Sequence, residues 1–213
     1  MINQRLRDQL TDFYLSLIPM VTINVLWFIA SLPIITLIPA TGALFYSTNQ
    51  LAHGKSADWR TFVEGFRVCF VRSWLWGVMN VVVIILLVSN FAYYSQLQAS
   101  WTPWAQALVI TFSFLWLALQ VHTFPLLLEQ EKPSLPLALR NSLIALLRRP
   151  FHAFGAAILI TVLALASSLL LIPAWVTITA ALCGYIANRT TIATIRKIGG
   201  KAAEPQTEVD SGI

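Results

Sequence analysis

Charge is what this sequence most lacks. Of its 213 residues, 11% are Asp, Glu, Lys or Arg, against about a quarter in an ordinary soluble domain. Hydrophobic residues make up 57%, and the mean hydropathy is +0.72. Such a composition belongs to a membrane protein. Cysteine is nearly absent: Cys69 and Cys183 stand far apart, with no CxxC and no neighbouring histidine. That excludes a sequence-encoded zinc or dithiol motif and reads as two thiols packed like small apolar side chains. No P-loop occurs, so the chain carries no signature for hydrolysing ATP. Glu129 and Glu131 form a close acidic pair, but in "EQEKPS" they read as a solvated turn. No catalytic constellation and no cofactor motif emerges, and an enzyme is not expected.

The charges that do occur are segregated. None falls between Phe13 and Gly54, between Ser73 and Leu128, or between Pro150 and Asn188. A spanning helix takes about 20 residues, so each tract has room for two crossings. Each also has a break near its middle: Pro33 to Pro39, "QLQASWTPW" at 96–104, and "IPA" at 172–174. Proline ends helices there, because it lacks an N–H and crowds the preceding turn.

All 14 basic residues lie outside these tracts, and the breaks hold none. Lys and Arg stay on the cytoplasmic side. The start, "MINQRLRDQLTDFY", is polar and lacks the apolar core and cleavage site of a signal peptide. The basic net charge of +5 therefore sets orientation. It does not mark nucleic-acid binding, which needs an exposed polar surface.

The expected fold is all-α and polytopic, with about six transmembrane helices in three hairpins. Approximate spans are 15–33, 39–53, 73–95, 104–128, 151–171 and 174–190, with both termini cytoplasmic. The second span is short and polar, carrying Thr41, Gly42, Ser47, Thr48, Asn49 and Gln50. A re-entrant segment there, with five crossings, is the alternative. Residues 1–196 form one membrane domain, and 197–213 read as a flexible cytoplasmic tail.

Two cytoplasmic amphipathic helices are expected at the interface. In "DWRTFVEGFRVCFVR" (58–72), Trp59, Phe62, Phe66 and Phe70 recur at helical spacing, with Arg67 on the other side and Asp58 placed as an N-cap. In "SLPLALRNSLIALLRR" (134–149), Ser134 stands as a cap, and Leu139, Leu143 and Leu146 share a face. Such helices anchor at headgroups or dock a cytoplasmic partner. The segments "LRDQL" (6–10), "FRVCF" (66–70) and "LRNSL" (139–143) share a loose pattern, each before a two-crossing tract.

One stretch resembles a known family. Asn24 and Trp27, followed by Ser31, Leu32, Pro33, Ile34, Thr36, Pro39 and Ala40, are similar to the N-terminal signature of the YesL family, bacterial membrane proteins classed as a domain of unknown function. Phe62, Phe66 and Phe70, and Asn141-Ser142 before Arg149-Pro150, look similar as well. The resemblance implies the bacterial cytoplasmic membrane and a link to carbohydrate uptake. It supplies no binding or catalytic residue.

Polar residues within the tracts are the remaining candidates. Asn24, Thr36, Thr41, Asn80, Gln120 and His122 could form a polar intramembrane site, or could be interhelical glue. Pro33 and Pro39 mark the first hairpin tip. His53 and His152 sit at cytoplasmic ends, where no special role is expected. Two functions follow. One is an accessory or assembly protein bound to another membrane protein, such as a sugar-uptake permease. The other is a small transporter acting as a homo-oligomer. A transporter requires Asn24, Thr36, Thr41, Asn80 and His122 to meet at one cavity; an accessory protein leaves them scattered or bonded in pairs.

Overall fold

Proline, glycine and a single capping aspartate decide where the helices of this computed structural model begin and end. The structure describes residues 2–170 and 175–199. In chain order these form α1 (Ile2–Ser31), a 3-10 turn (Ile34–Thr36), α2 (Leu37–Ala52), α3 (Trp59–Ser95), α4 (Thr102–Leu128), α5 (Leu135–Arg148), α6 (Pro150–Leu170), a π-helical turn (Trp175–Thr179) and α7 (Ala180–Gly199). The described residues contain no strand. The break at 172–174 and the tail beyond residue 199 lie outside them.

The first hairpin turns at Pro33. Residue 32 precedes a proline, which disfavours helix, and α1 stops one residue earlier. The Thr36 hydroxyl lies 2.6 Å from the Ala30 carbonyl and 2.8 Å from that of Pro33. It thereby serves the unpaired carbonyls that a helix C-terminus leaves. Pro39 is not at the tip. It sits buried within the first turn of α2, where no N–H would be used anyway.

α2 ends in a left-handed glycine. Gly54 has φ of +75°. Its N–H reaches the Leu51 carbonyl at 2.9 Å, and that of Lys55 reaches Gln50 at 3.0 Å, the paired bonds of a Schellman cap. Asp58 then starts α3. Its carboxylate accepts from the N–H groups of Arg60 and Thr61, both at 3.0 Å, while the Thr61 hydroxyl lies 3.3 Å from the Asp58 N–H. The expected cap is present.

The expected division of 58–72 from 73–95 is not. α3 runs unbroken for 37 residues, about 55 Å at 1.5 Å per residue. Nothing between Arg72 and Ser73 interrupts it, since neither proline nor a left-handed residue occurs there. The corresponding juncture after α5 does break, because Pro150 forces Arg149 out of the helix. The pattern "FRVCF" thus lies inside a long helix, whereas "LRNSL" lies on a separate short one. Ser134 stands before α5, but its side chain makes no capping bond.

α3, α4 and α6 are long and apolar enough to cross a membrane. Most of their large side chains point outward. α2 is different. It packs against α1, α3, α4 and α7 and is buried along most of its length. Its short, polar sequence follows from that central place. Ser47 and Thr48 bond back to the carbonyls of Ala43 and Leu44 at 2.9 and 2.8 Å. Gly42 faces Ser73 of α3, and Gly184 of α7 faces Leu44. Small residues allow this close approach, the usual device where no water drives helices together.

α5 buries Ala138, Ser142, Ala145 and Leu146. Its expected face of Leu139, Leu143 and Leu146 is therefore rotated. Leu143 is exposed, because close packing on α4 and α6 favours the small side chains.

Candidate functional site

Polar groups inside the bundle gather in several separate clusters. The largest ties the basic-end termini of α2 and α4 to α7. Asn49, one turn before the end of α2, donates its amide to Glu129 Oε1 at 2.7 Å and to Asn188 Oδ1 at 3.2 Å. Asn188, wholly buried on α7, donates to Thr48 Oγ1 at 3.0 Å and to the carbonyls of Phe45 and Gly184 at 3.1 and 3.0 Å. His53 Nε2 stands 2.8 Å from Glu129 Oε1. A carboxylate only accepts, so that ring nitrogen carries the hydrogen. Arg189 reaches the Ala52 carbonyl at 3.4 Å, placing a cation at the negative end of the α2 dipole.

Sequence reasoning missed this cluster. Glu129 does lie in a turn after α4 and is half-buried there, but its carboxylate is also a structural acceptor for Asn49 and His53. The available signal was placement: Asn49 and Asn188 each lie just inside an uncharged tract, one turn or less from charged or titratable neighbours.

The six polar candidates fall elsewhere, in five groups. Asn24 is fully buried. It donates to the Val176 carbonyl and accepts from the Ala181 N–H, both at 2.8 Å, clasping the start of α7 where the π-helical turn disturbs the backbone ladder. Thr36 closes the first hairpin, as above. Thr41 donates to Leu37 O at 2.8 Å and accepts from Trp27 Nε1 at 3.2 Å. Asn80 and Gln120 share one α3–α4 network. Trp76 Nε1 and Asn80 Nδ2 donate to Gln120 Oε1 at 2.8 and 3.3 Å, and Trp116 Nε1 donates to Asn80 Oδ1 at 3.1 Å. His122 Nδ1 is 2.7 Å from Thr191 Oγ1 on α7. Beside it, Thr123 meets Ser142 at 3.2 Å, joining α4 to α5.

Two cavities touch these residues. One, of about 290 Å³, includes Thr41 and Gln120 but is otherwise walled by apolar and aromatic side chains such as Phe45, Trp76 and Ile160. The other, of about 260 Å³, has His122 at its wall. Asn24 and Asn80 line neither.

The helix expected to dock a partner divides in two. Phe62 is buried at 4% exposure, in the cluster with Leu51, Ala52 and Ala57. Phe66 packs partly against the same cluster. Neither offers a free face. Trp59 is 55% exposed and Phe70 42%, and Arg67 is exposed. Arg60 lies over the Trp59 ring, 5.3 Å from its centre.

The turn at Pro33, the close packing at Gly42 and the capped start of α3 at Asp58 all lie in one continuous stretch. Residues 20–91 match the family described as "Protein of unknown function, DUF624". This is the family to which YesL-like proteins belong. The DUF624 segment covers the C-terminal part of α1, all of α2 and most of α3. It contains the whole motif from Asn24 to Ala40, so the resemblance holds over that stretch. Neither a curated protein nor a solved structure matches the chain.

Proposed function

We propose that the protein is a non-enzymatic accessory or assembly subunit of the bacterial cytoplasmic membrane, bound to another membrane protein such as a sugar-uptake permease. One observation carries this reading. Asn24, Thr36, Thr41, Asn80, Gln120 and His122 bond in five separate groups, as interhelical glue does, and of the two cavities described above one takes Thr41 and Gln120 and the other His122 alone. The exposed Trp59, Arg67 and Phe70 on the basic end of α3 suit the partner surface.

In this reading α1, α2, α3, α4, α6 and α7 cross the membrane, and α5 lies at the cytoplasmic interface. Both termini are cytoplasmic. The support is that every Lys and Arg lies at one end of the hairpins. α2 is about 24 Å long at 1.5 Å per residue. It is short for a lipid-exposed span but suited to a helix enclosed by four others. Cysteine-scanning with a membrane-impermeant maleimide tests the topology: positions 98 and 132 should react from opposite sides.

The alternative, a small oligomeric transporter, has the apolar cavity at Thr41 and Gln120 in its favour. Its lining offers a polar solute few partners. Affinity purification from native membranes in mild detergent separates the two readings. A stoichiometric membrane partner supports the accessory role. A homo-oligomer that purifies alone and moves solute in liposomes overturns it.

A further inference from the structure

Beside α5 lies a cleft whose chemistry the partner-binding role does not use. It opens between α4, α5 and α7, with a volume of about 260 Å³. His122, Asn141, Thr191 and Thr194 supply its polar wall, and Leu126 and Ile144 part of its apolar one.

The hydrogen bonds fix what this wall presents. Thr191 is buried at 1% exposure, and its hydroxyl has one partner, His122 Nδ1, at 2.7 Å. A buried hydroxyl keeps its proton on an acceptor, so Thr191 donates and Nδ1 accepts. The neutral imidazole then carries its hydrogen on Nε2. Among the described residues that N–H has no acceptor, although the His122 side chain is buried at 1% exposure. The half-buried Asn141 amide also makes no hydrogen bond among the described residues. Thr194 has given its proton to the Thr190 carbonyl at 2.8 Å, leaving its oxygen as an acceptor. No charged side chain lines the cleft. The wall therefore offers two unused donors to an uncharged acceptor, next to apolar surface.

We infer that this cleft is a lipid site, with His122 Nε2–H and the Asn141 amide holding an acyl-ester carbonyl while the chain lies along Leu126 and Ile144. The location supports a lipid over a dissolved ester. The cleft sits near the end of α4, within two turns of Glu129, on the flank of α5 with its Arg140 and Arg148. Ester carbonyls of a bilayer occupy that interfacial depth. The volume is below that of a site for a drug-sized molecule, but it takes one ester and a length of chain. The inference rests on the membrane placement and not on partner binding.

The test uses full-length protein in phosphatidylcholine vesicles doped with a phosphatidylcholine bearing a diazirine on its acyl chain. After illumination, peptide mass spectrometry should find label concentrated on the segments carrying Ile144 and Thr194. His122→Phe keeps the ring and removes the donor, and should lower that label about fivefold, the worth of one hydrogen bond. Ile144→Trp, at an exposed position, fills the cleft from outside and should abolish the excess label without unfolding the bundle. Triacetin, an ester without long chains, should not compete.

Label spread evenly over the outward faces of α3, α4 and α6, and unchanged by Ile144→Trp, overturns the site. So does competition by triacetin, which would show a cleft for free esters. Absence of label even on α3 would contradict the membrane placement itself.

Discussion

The Asn49 side-chain amide stands 2.7 Å from the Glu129 carboxylate and 3.2 Å from the Asn188 side-chain oxygen. Three helices that are distant in sequence meet at that amide. Asn188→Ala removes three donated bonds and one accepted, and leaves Thr48 and Asn49 with fewer partners. Interhelical hydrogen bonds between membrane helices are each worth about 0.6 kcal/mol and at most about 1.7. The variant should lose about 1–2 kcal/mol, measured by steric trapping or by melting in detergent. Asn90 is the control. It is exposed and bonds only to Leu86 of its own helix, so Asn90→Ala should be near neutral. Equal effects of the two substitutions would remove the cluster's structural role.

Gly42 is a contact rather than a hinge. A Cβ there would lie 1.8 Å from Ser73 Oγ and 2.9 Å from Ser73 Cβ. Gly42→Ala should destabilise the bundle by about 1–3 kcal/mol, the range for overpacking. Ser73→Gly in the same chain should recover most of that. A double variant no more stable than Gly42→Ala alone would show that α2 and α3 are not pressed together at this point.

Gly54 acts through its backbone. Its φ is +75°, and a Cβ added there would have no neighbour within 4 Å, so substitution meets strain but no clash. Gly54→Ala should cost about 1 kcal/mol, the left-handed penalty of an L-residue. Gly54→Asn should cost less. Equal losses for the two would point away from the Schellman cap.

Asp58 gives a pH dependence of known sign. The N–H of Thr61 donates to its carboxylate and holds its pKa below the ordinary 3.8. A depressed carboxylate pKa stabilises the folded state above the unfolded value, and the benefit fades as pH falls through the folded value. The start of α3 should therefore stay protected at neutral pH and fray below pH 3.8. Amide exchange at Arg60 and Thr61 reads this directly. Asp58→Ala should show the frayed rates at every pH; protection that is the same in both proteins would remove the cap.

Much of the fold was legible because covalent chemistry punctuates it. Pro33 and "QLQASWTPW" mark turns where the helices do turn, and Asp58 starts the helix it was expected to start. What escaped depended on neighbours. Nothing in the sequence around Arg72 says that α3 continues, since an amphipathic helix and a crossing helix share one backbone geometry. Phe62 and Trp59 look equivalent by spacing, yet one enters the core beside Leu51 and the other faces out. The Asn49–Glu129–Asn188 cluster was illegible for the same reason, because its members are 59 or more residues apart and each alone reads as an ordinary helix-end residue. The polar candidates were named one by one from their place in uncharged tracts. Their sorting into separate groups depends on helix rotation, which hydropathy does not determine.

The most direct measurement is in-cell photocrosslinking with a photoreactive amino acid at 59, 67 or 70, and at 159 as a membrane-facing control. The accessory reading predicts one discrete heavier adduct, the same from all three α3 positions and absent from 159, that contains a second membrane protein. Adducts only between copies of this chain, or none at any α3 position, would contradict it.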